Sequence, residues 1–461
     1  MSQVELIREA FHYQHRFEGS TLVFKIDSPL AEDPGFPYLM KDLALLAQTG
    51  FKVLIAPGAK ESIDANLAQH GIVSNYATVG DFPEPVRITT AQAIPFVQMA
   101  AFNVATRCMP FLSGSRVDAV IGNFVRARGL GVINGIDMEH TGTVDKIYAE
   151  SISRVLNLGA VPILPCIGWS PSGKPYNVPI DEIALAASMV LGAIKLFIVS
   201  AHDSLRNSTY TLPENVETGS NGTAGSGGSL IRLTPQEAES VITANSGANM
   251  DDAARQPLRE LRLALRACRA GVERVHIIDG REEGAVLKEL FSNLGTGTMV
   301  YADKYESIRL AHSRDLPDLL RLMEPLMQRG ILIRRTAEQI QEQKEDYSVF
   351  EIDGSIHACG ALHDWGEGQG EIAAVATDPL YSGMSLGRRI VGYLIEKAQK
   401  SGMNRVFVLT AHTQDWFETL GFREAPVESL PERKRRIYDQ NRRSKVFALH
   451  LDPMERKQYM V

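Results

Sequence analysis

Glu371–Lys400 reads EIAAVATDPLYSGMSLGRRIVGYLIEKAQK, and its three parts differ in composition and period. Glu371–Thr377 is an apolar, β-prone run that stops at Asp378-Pro379. Ser382-Gly383-Met384-Ser385-Leu386-Gly387 is a loop of small residues, and Leu386–Gln399 then carries apolar residues at helical spacing. Small residues let a backbone approach a ligand, and the free N–H groups at a helix start attract phosphate. A strand with an unpaired edge takes up an extended amide chain by strand addition. Pantetheine is such a chain, with a pyrophosphate at one end.

Around this segment the pattern is α+β. Asp315–Met327 reads as a helix, Tyr347–Ile352 and His357–His363 as a hairpin about Asp353-Gly354. Arg405–Thr410 reads as a strand and Asp415–Leu420 as a short helix ended by Gly421. Upstream, strand-like runs (Thr21–Ile26, Lys52–Ile55, Val117–Ile121, Val161–Leu164, Leu196–Ser200, Val275–Ile278) alternate with helical stretches such as Tyr38–Gln48 and Ser62–His70. That alternation predicts an α/β fold, a mostly parallel open sheet sandwiched by helices, with ligands at the carboxyl ends of its strands. The glycine-rich stretch Gly219–Gly228 interrupts the pattern and reads as a surface loop, because periodicity resumes in a helix near Asp251–Arg269. The expected boundary falls near 299–308, giving domains 1–300 and 305–455.

The bulk properties exclude several classes. A net charge of −7 with a pI near 5.9 disfavours bulk nucleic-acid binding. Cys108, Cys166, Cys268 and Cys359 are far apart and read as reduced buried thiols, not as a disulfide framework or metal site. The start MSQVELIREAFHYQHRF lacks the basic-then-apolar order of a signal peptide. The most apolar stretch, Ile183 to Val199, contains Ser188 and Lys195 and reads as a core helix running into a strand. A cytoplasmic protein without membrane or nucleic-acid partners is expected.

The strand–loop–helix at Glu371–Lys400, followed by Val406–Thr410, Trp416-Phe417 and Gly421-Phe422, resembles GNAT acetyltransferases. Their usual loop is Gln/Arg-x-x-Gly-x-Gly/Ala; here the matching positions are Ser382, Ser385 and Gly387, of which only Gly387 conforms. The departure places pyrophosphate binding on backbone N–H groups and on Arg388 or Arg389. The phrases GAKESIDANLAQHGI, GNFVRARGLGVINGIDMEHTGTVDKI, GVERVHIIDGREEGAVLKELFSNLGTGTMV, GILIRRTAEQI and YDQNRRSKV, in that order, resemble bacterial two-domain N-acetylglutamate synthases over nearly the whole chain. The resemblance implies an amino-acid-kinase-like domain followed by a smaller GNAT domain. The implied activity is transfer of acetyl from acetyl-CoA, as co-substrate, to the α-amino group of L-glutamate, the first step of arginine biosynthesis. It also implies feedback inhibition by L-arginine and a homo-oligomer, in relatives a hexamer.

Carried over by position, the resemblance implies that Ala374, Val375, Ala376 and Thr377 hold acetyl-CoA through backbone groups, with Ser382, Gly383, Ser385, Gly387 and Arg388 at its phosphates. Glutamate falls to Arg334 or Arg335, to His363 where many relatives have lysine, and to Arg442 and Ser444 of the Arg-x-Ser motif. Glu371 is the candidate base for the amine, and Tyr438 the candidate proton donor for the thiolate. The basic run LPERKRRIYDQNRRSKV reads either as a solvated face or as a source of cations for a dicarboxylate. No covalent acyl-enzyme is needed, so Cys359 reads as structural.

Amino-acid kinases cradle phosphates with a lysine followed by a glycine pair. Here Phe24-Lys25-Ile26-Asp27-Ser28 keeps a lysine without the glycines, and the region around Asn249–Arg255 has no second lysine. Phosphoryl transfer relies on such charge stabilisation, so kinase activity is not expected. Lys195, His276, Glu289 and Gly295 fall where the resemblance puts the arginine pocket, while Asn177 and Glu182 read as structural. The competing readings are an acetylglutamate kinase, alone or bifunctional with the synthase, and a non-catalytic arginine sensor.

Overall fold

The computed structural model describes residues 14, 17–79, 82, 85–202, 205, 210–213, 231–246, 250, 252–291, 297–302, 306–352, 355–379, 385–411, 413–439, 442 and 444–451. The chain forms two compact units, 1–303 and 304–461.

The first unit contains, in order, β1 (Thr21–Ile26), α1 (Phe36–Gln48), β2 (Lys52–Pro57), α2 (Ile94–Gly114), β3 (Ala119–Ile121), β4 (Val161–Ile163), α3 (Ile180–Val190), β5 (Lys195–Ser200), β6 (Ile231–Leu233), α4 (Pro235–Asn245), α5 (Asp252–Arg269), β7 (Arg274–Asp279), α6 (Ala285–Phe291) and β8 (Thr298–Tyr301). The eight strands form one sheet in the order β6-β8-β7-β5-β1-β2-β4-β3. Its ladders are parallel except for β7 with β8. Successive side chains on a strand point to opposite faces. Val23 of β1 therefore joins a core with α3, α4 and α5, while Leu22, Phe24 and Ile26 join a second core with α1, α2 and α6. Burial on both faces is why these strands are apolar runs without alternation. The stretch Ile183 to Val199 is indeed the end of α3 followed by β5, with Ser188 donating its hydroxyl to the Ala184 carbonyl at 2.7 Å. Among the described residues no helix is long and apolar enough to cross a membrane.

A four-stranded sheet made of Pro175–Asn177, Ile167–Trp169, Val125–Gly129 and Gly142–Ile147 was not legible beforehand. Its strands are short and their outward residues polar, so they resemble loops in sequence. Asn177 and Glu182 do have structural partners: Asn177 donates to Thr89 at 3.1 Å, and Glu182 takes a two-pronged bond from Arg266 at 2.8 and 3.1 Å. The Gly219–Gly228 stretch lies outside the described residues.

The second unit contains β9 (Glu306–Leu310), α7 (Leu316–Gln328), β10 (Tyr347–Ile352), β11 (Ser355–Asp364), β12 (Gln369–Thr377), α8 (Leu386–Lys400), β13 (Arg405–Thr410), α9 (Gln414–Thr419), β14 (Arg423–Ala425), α10 (Glu432–Arg436) and β15 (Lys445–His450). The sheet order is β9-β10-β11-β12-β13-β15-β14. All neighbours are antiparallel except β12 with β13. Helix α8 packs with Phe350, Leu362 and Ile372, and α7 with Tyr347, Val349 and Ala374, so the sheet is covered on both faces.

Candidate active site

The parallel pair β12–β13 is short. Its register runs Gln369↔Arg405, Gly370↔Val406, Glu371↔Phe407 and ends there. On the other side β12 stays paired with β11 as far as Ala358↔Thr377. From Ile372 to Thr377, β12 therefore has an edge that no ladder with β13 occupies, the expected berth for an extended amide chain. A bulge re-aims this edge. Ala373 faces Ala361 and Ala376 faces Cys359, so Ala374 and Val375 together oppose the single residue Gly360. Ala374 takes up the extra residue with a left-handed φ of +53°. Gly360 leaves room on the α8 side, since a Cβ there would lie 2.8 Å from Leu394.

Helix α8 begins just beyond the open edge. Ser385 precedes it with φ +51°, and the N–H groups of the first helical turn have no partner within the helix. A Cβ on Gly387 would stand 3.1 Å from the Trp416 ring, which accounts for the conforming glycine by close packing on its neighbour. Arg388 is exposed on the first turn, whereas Arg389 lies over the Phe350 ring at 4.5 Å. Ser382 and Gly383 lie outside the described residues.

Glu371 stands where β12 and β13 part, at the wall of a cleft of about 370 Å³. Its carboxylate is buried, and one oxygen, Oε2, accepts from both Lys434 Nζ at 2.7 Å and Trp365 Nε1 at 2.8 Å. The Lys434 ammonium also lies over the Trp365 ring at 4.6 Å. Arg335 and His363 line the same cleft, and His363 Nδ1 is 2.6 Å from Asp346 Oδ2. Arg334, the other member of the pair, is exposed and is not a lining residue.

The remaining clamp candidates stand apart from the cleft lining. Arg442 donates through Nη2 to the Ile331 carbonyl at 2.7 Å and to Gly330 at 3.4 Å, so it braces the chain that carries Arg335. Partial burial and then the charge of Arg335 lower its pKa. The Tyr438 hydroxyl donates to the backbone carbonyl of Ser444, itself buried. As a proton donor to a thiolate, Tyr438 would first have to release that bond. The Cys359 thiol is buried against the Ala374 carbonyl and is pushed up to about 12 by desolvation, which suits a packing role and not a nucleophile.

Lys434 and Trp365 are the site residues that sequence reading missed. Lys434 belongs to the run Arg433-Lys434-Arg435-Arg436, where nothing in composition separates one cation from the next. On α10 it is the one that is buried.

In the first unit, Lys195 opens β5, His276 lies in β7 and Glu289 on α6; all three are buried. His276 Nδ1 is 2.7 Å from Glu289 Oε1, and the Gly297 N–H reaches Glu289 Oε2 at 3.4 Å. Burial, with the nearby Lys195 cation, pushes His276 down to about 4. The ring is thus neutral near pH 7 and donates Nδ1–H to Glu289, leaving Nε2 as a buried acceptor without a partner among the described residues. Burial raises the Glu289 carboxyl, but the His276 bond, Lys195 and the Gly297 N–H outweigh it and hold it below the usual range. Burial, then the Arg274 charge, drives Lys195 well below the usual lysine range. Gly295 lies outside the described residues.

The carboxyl ends of β1 and β5, where a kinase would hold phosphates, are occupied by the protein's own charges. Lys25 Nζ is 2.5 Å from Asp27 and 3.5 Å from Asp181. Burial opposes the Lys25 charge, but these carboxylates with Glu260 hold its pKa well above the usual value. Asp27, His202 and Glu260 bring donor atoms within 4.8 Å of one another, yet the ammonium of Lys25 already sits on Asp27. The Lys25 ammonium is thus already held by Asp27 and Asp181.

Comparison with known proteins gives the family. Residues 316–422 match the family described as Acetyltransferase (GNAT) family, so the second unit, with its parted strands and open helix start, is a GNAT acetyltransferase. The chain is 34% identical to the amino-acid acetyltransferase of Pasteurella multocida (strain Pm70), covering 97% of this chain and 98% of the relative. It is 31% identical to that of Escherichia coli (strain K12) with the same coverage. The crystal structure of N-acetylglutamate synthase from Neisseria gonorrhoeae complexed with coenzyme A and L-arginine superposes with a TM-score of 0.81 at 31% identity, covering 98% of this chain and all of that one. A second structure of that enzyme, complexed with coenzyme A and N-acetyl-glutamate, gives a TM-score of 0.58 at 32% identity. The chain belongs to the amino-acid acetyltransferase family, the N-acetylglutamate synthases with an amino-acid-kinase-like first domain and a GNAT second domain.

Proposed function

We propose that this protein transfers the acetyl group of acetyl-CoA to the α-amino group of L-glutamate, the first step of arginine biosynthesis, and that L-arginine inhibits it from the first unit. The observation that carries the reading is the parting of β12 from β13 at Glu371, which sets an open strand edge beside a cleft bearing Arg335 and His363. Pantetheine lies along Ile372–Thr377, and the pyrophosphate meets the first turn of α8 near Ser385, Gly387 and Arg388. The thioester carbonyl is polarised by a backbone N–H on the Val375 bulge. The glutamate carboxylates are held by Arg335 and His363, with Arg442 bracing the chain that presents Arg335. Glu371 takes the proton of the ammonium through water, the free amine attacks the thioester carbon, the nitrogen of the tetrahedral adduct releases its second proton to water, and the C–S bond breaks as the thiolate leaves with a proton from solvent or from Tyr438.

Lys195, His276 and Glu289 form the arginine pocket, with the guanidinium paired to Glu289 and one of its N–H groups satisfying His276 Nε2. Inhibition then arises from different arginine affinities of two arrangements of the protein. Oligomer formation, in a hexamer by likeness to relatives, and a cytoplasmic location complete the proposal. A kinase role is disfavoured by the Lys25–Asp27–Asp181 cluster. The test is thiol release from acetyl-CoA with L-glutamate, without ATP. Turnover that needs glutamate and falls with arginine is expected; none between about pH 7 and 9 refutes the reading.

A further inference from the structure

We propose that Lys434 is a positioning residue for acetyl transfer, tethering the base Glu371 by one carboxylate oxygen and leaving the other open to the cleft. The inference rests on Glu371 being the base, as proposed above. Arg433, Arg435 and Arg436 are exposed, and the last two are occupied by the Glu428 carbonyl and by Glu432. Lys434 alone in that run is turned inward, 8% exposed, against a carboxylate 5% exposed. Both donors that reach Glu371, Lys434 Nζ and Trp365 Nε1, converge on Oε2. Oε1 accepts no hydrogen bond from any described residue, and Glu371 lines the cleft. The carboxylate is therefore tethered by one oxygen and open at the other.

A buried ion pair is seldom more stable than an apolar pair of the same volume, because both charges lose their water. At the edge of a substrate cleft the pair has another use. The ammonium and the Trp365 N–H fix the carboxylate at one oxygen, and the Trp365 ring confines the ammonium to one side. When Glu371 takes the ammonium's proton through water, a cation fixed at Oε2 leaves Oε1 as the oxygen that receives the proton and hands it on to water. The other charged or titratable groups lining the cleft are Arg335, Asp346, His363, Asp364 and Arg433, and none of them is bonded to Glu371.

The experiment uses the full-length protein with Lys434→Met, Lys434→Gln and Lys434→Arg, and kcat/KM for glutamate measured against pH by thiol release. A buried carboxylate that loses its paired cation keeps its proton to higher pH, so the acid limb should move up by about one pH unit or more in the Met and Gln variants. Their kcat at pH 7 should fall about tenfold, with KM for acetyl-CoA unchanged within about twofold. Lys434→Arg should leave the limb where the wild type has it. Lys434→Gln keeps a donor toward Oε2 and removes only the charge, so it decides the matter if the Met variant does not fold. A limb that stays in place in a folded neutral variant overturns the proposal and leaves Lys434 a packing residue. Glu371→Gln separates the two readings: if it keeps the wild-type kcat, the base assignment itself is wrong. If it is inactive while the Lys434 profiles are unshifted, only the role of Lys434 is wrong.

Discussion

Replacing Glu289 by Gln changes one atom in the first unit and tests the regulatory reading directly. Glu289 is 7% exposed and accepts from His276 Nδ1 at 2.7 Å and from the Gly297 N–H at 3.4 Å. A glutamine carbonyl can still accept the His276 bond, so the local fold should survive. What disappears is the negative charge that the arginine guanidinium would meet. A hydrogen bond to a charged group contributes about 1.5–3 kcal/mol, so the arginine midpoint should rise by roughly ten- to 150-fold. The cleft lined by Arg335 and His363, where glutamate is proposed to bind, belongs to the second unit, so activity without arginine should stay within about twofold of wild type. The assay is a pair of arginine titrations followed by thiol release, with calorimetry on the same samples. An unchanged midpoint in a variant that binds arginine normally would refute the placement of the guanidinium at Glu289. Normal binding with activation in place of inhibition would keep the site and reverse the sign.

Acid should weaken the same cluster. His276 titrates at about 4 in the folded chain against 6.5 unfolded, so the unfolded state binds more protons between these values. Stability is then fully present above pH 6.5 and is lost as pH falls toward 4, by about 3 kcal/mol for about 2.5 pK units. The depressed Glu289 carboxyl adds a loss of the same sign at still lower pH, as it protonates. Melting temperatures between about pH 4.5 and 7.5 should fall with pH in wild type and less steeply in His276→Gln; equal slopes would show that His276 is not the titrating group. Arg442→Ala should release the Gly330 and Ile331 carbonyls and let the Arg335 chain relax. KM for glutamate should rise about tenfold or more while KM for acetyl-CoA stays near normal, and equal loss for both substrates would point to general misfolding.

The alternation of apolar runs with helical periods was a local property, and it located a central strand of each unit's main sheet closely: Thr21–Ile26 in the first and Arg405–Thr410 in the second were read with the observed bounds. The helix Leu386–Lys400 was legible from its apolar period, and the small residue Gly387 in its first turn is matched by the close approach of Trp416; Ser382–Met384 lie outside the described residues. The four-stranded sheet was not legible, since short segments with polar outward faces carry little periodicity of their own, and β15 was hidden because its apolar Val446–Leu449 directly follows the basic run. The order of phrases such as VHIIDGR and ELFSNLGTGT brought Lys195, His276 and Glu289 onto one list, but only the fold made His276 a neutral donor to Glu289 with an idle Nε2.

What the sequence by itself determined is whatever neighbouring residues decide among themselves: the longer periodic elements, the two-domain order, the family and the missing kinase glycines. Tertiary structure alone decided where β12 leaves β13, that Asp27 and Asp181 neutralise Lys25, that Arg335 and not Arg334 lines the cleft, and that Lys434 among four adjacent cations is buried on Glu371. The physical reason is common to all four. Charge and burial depend on groups brought close from distant parts of the chain, Lys434 and Glu371 being 63 residues apart, and no local pattern of residue types encodes which of several equal side chains will meet its partner.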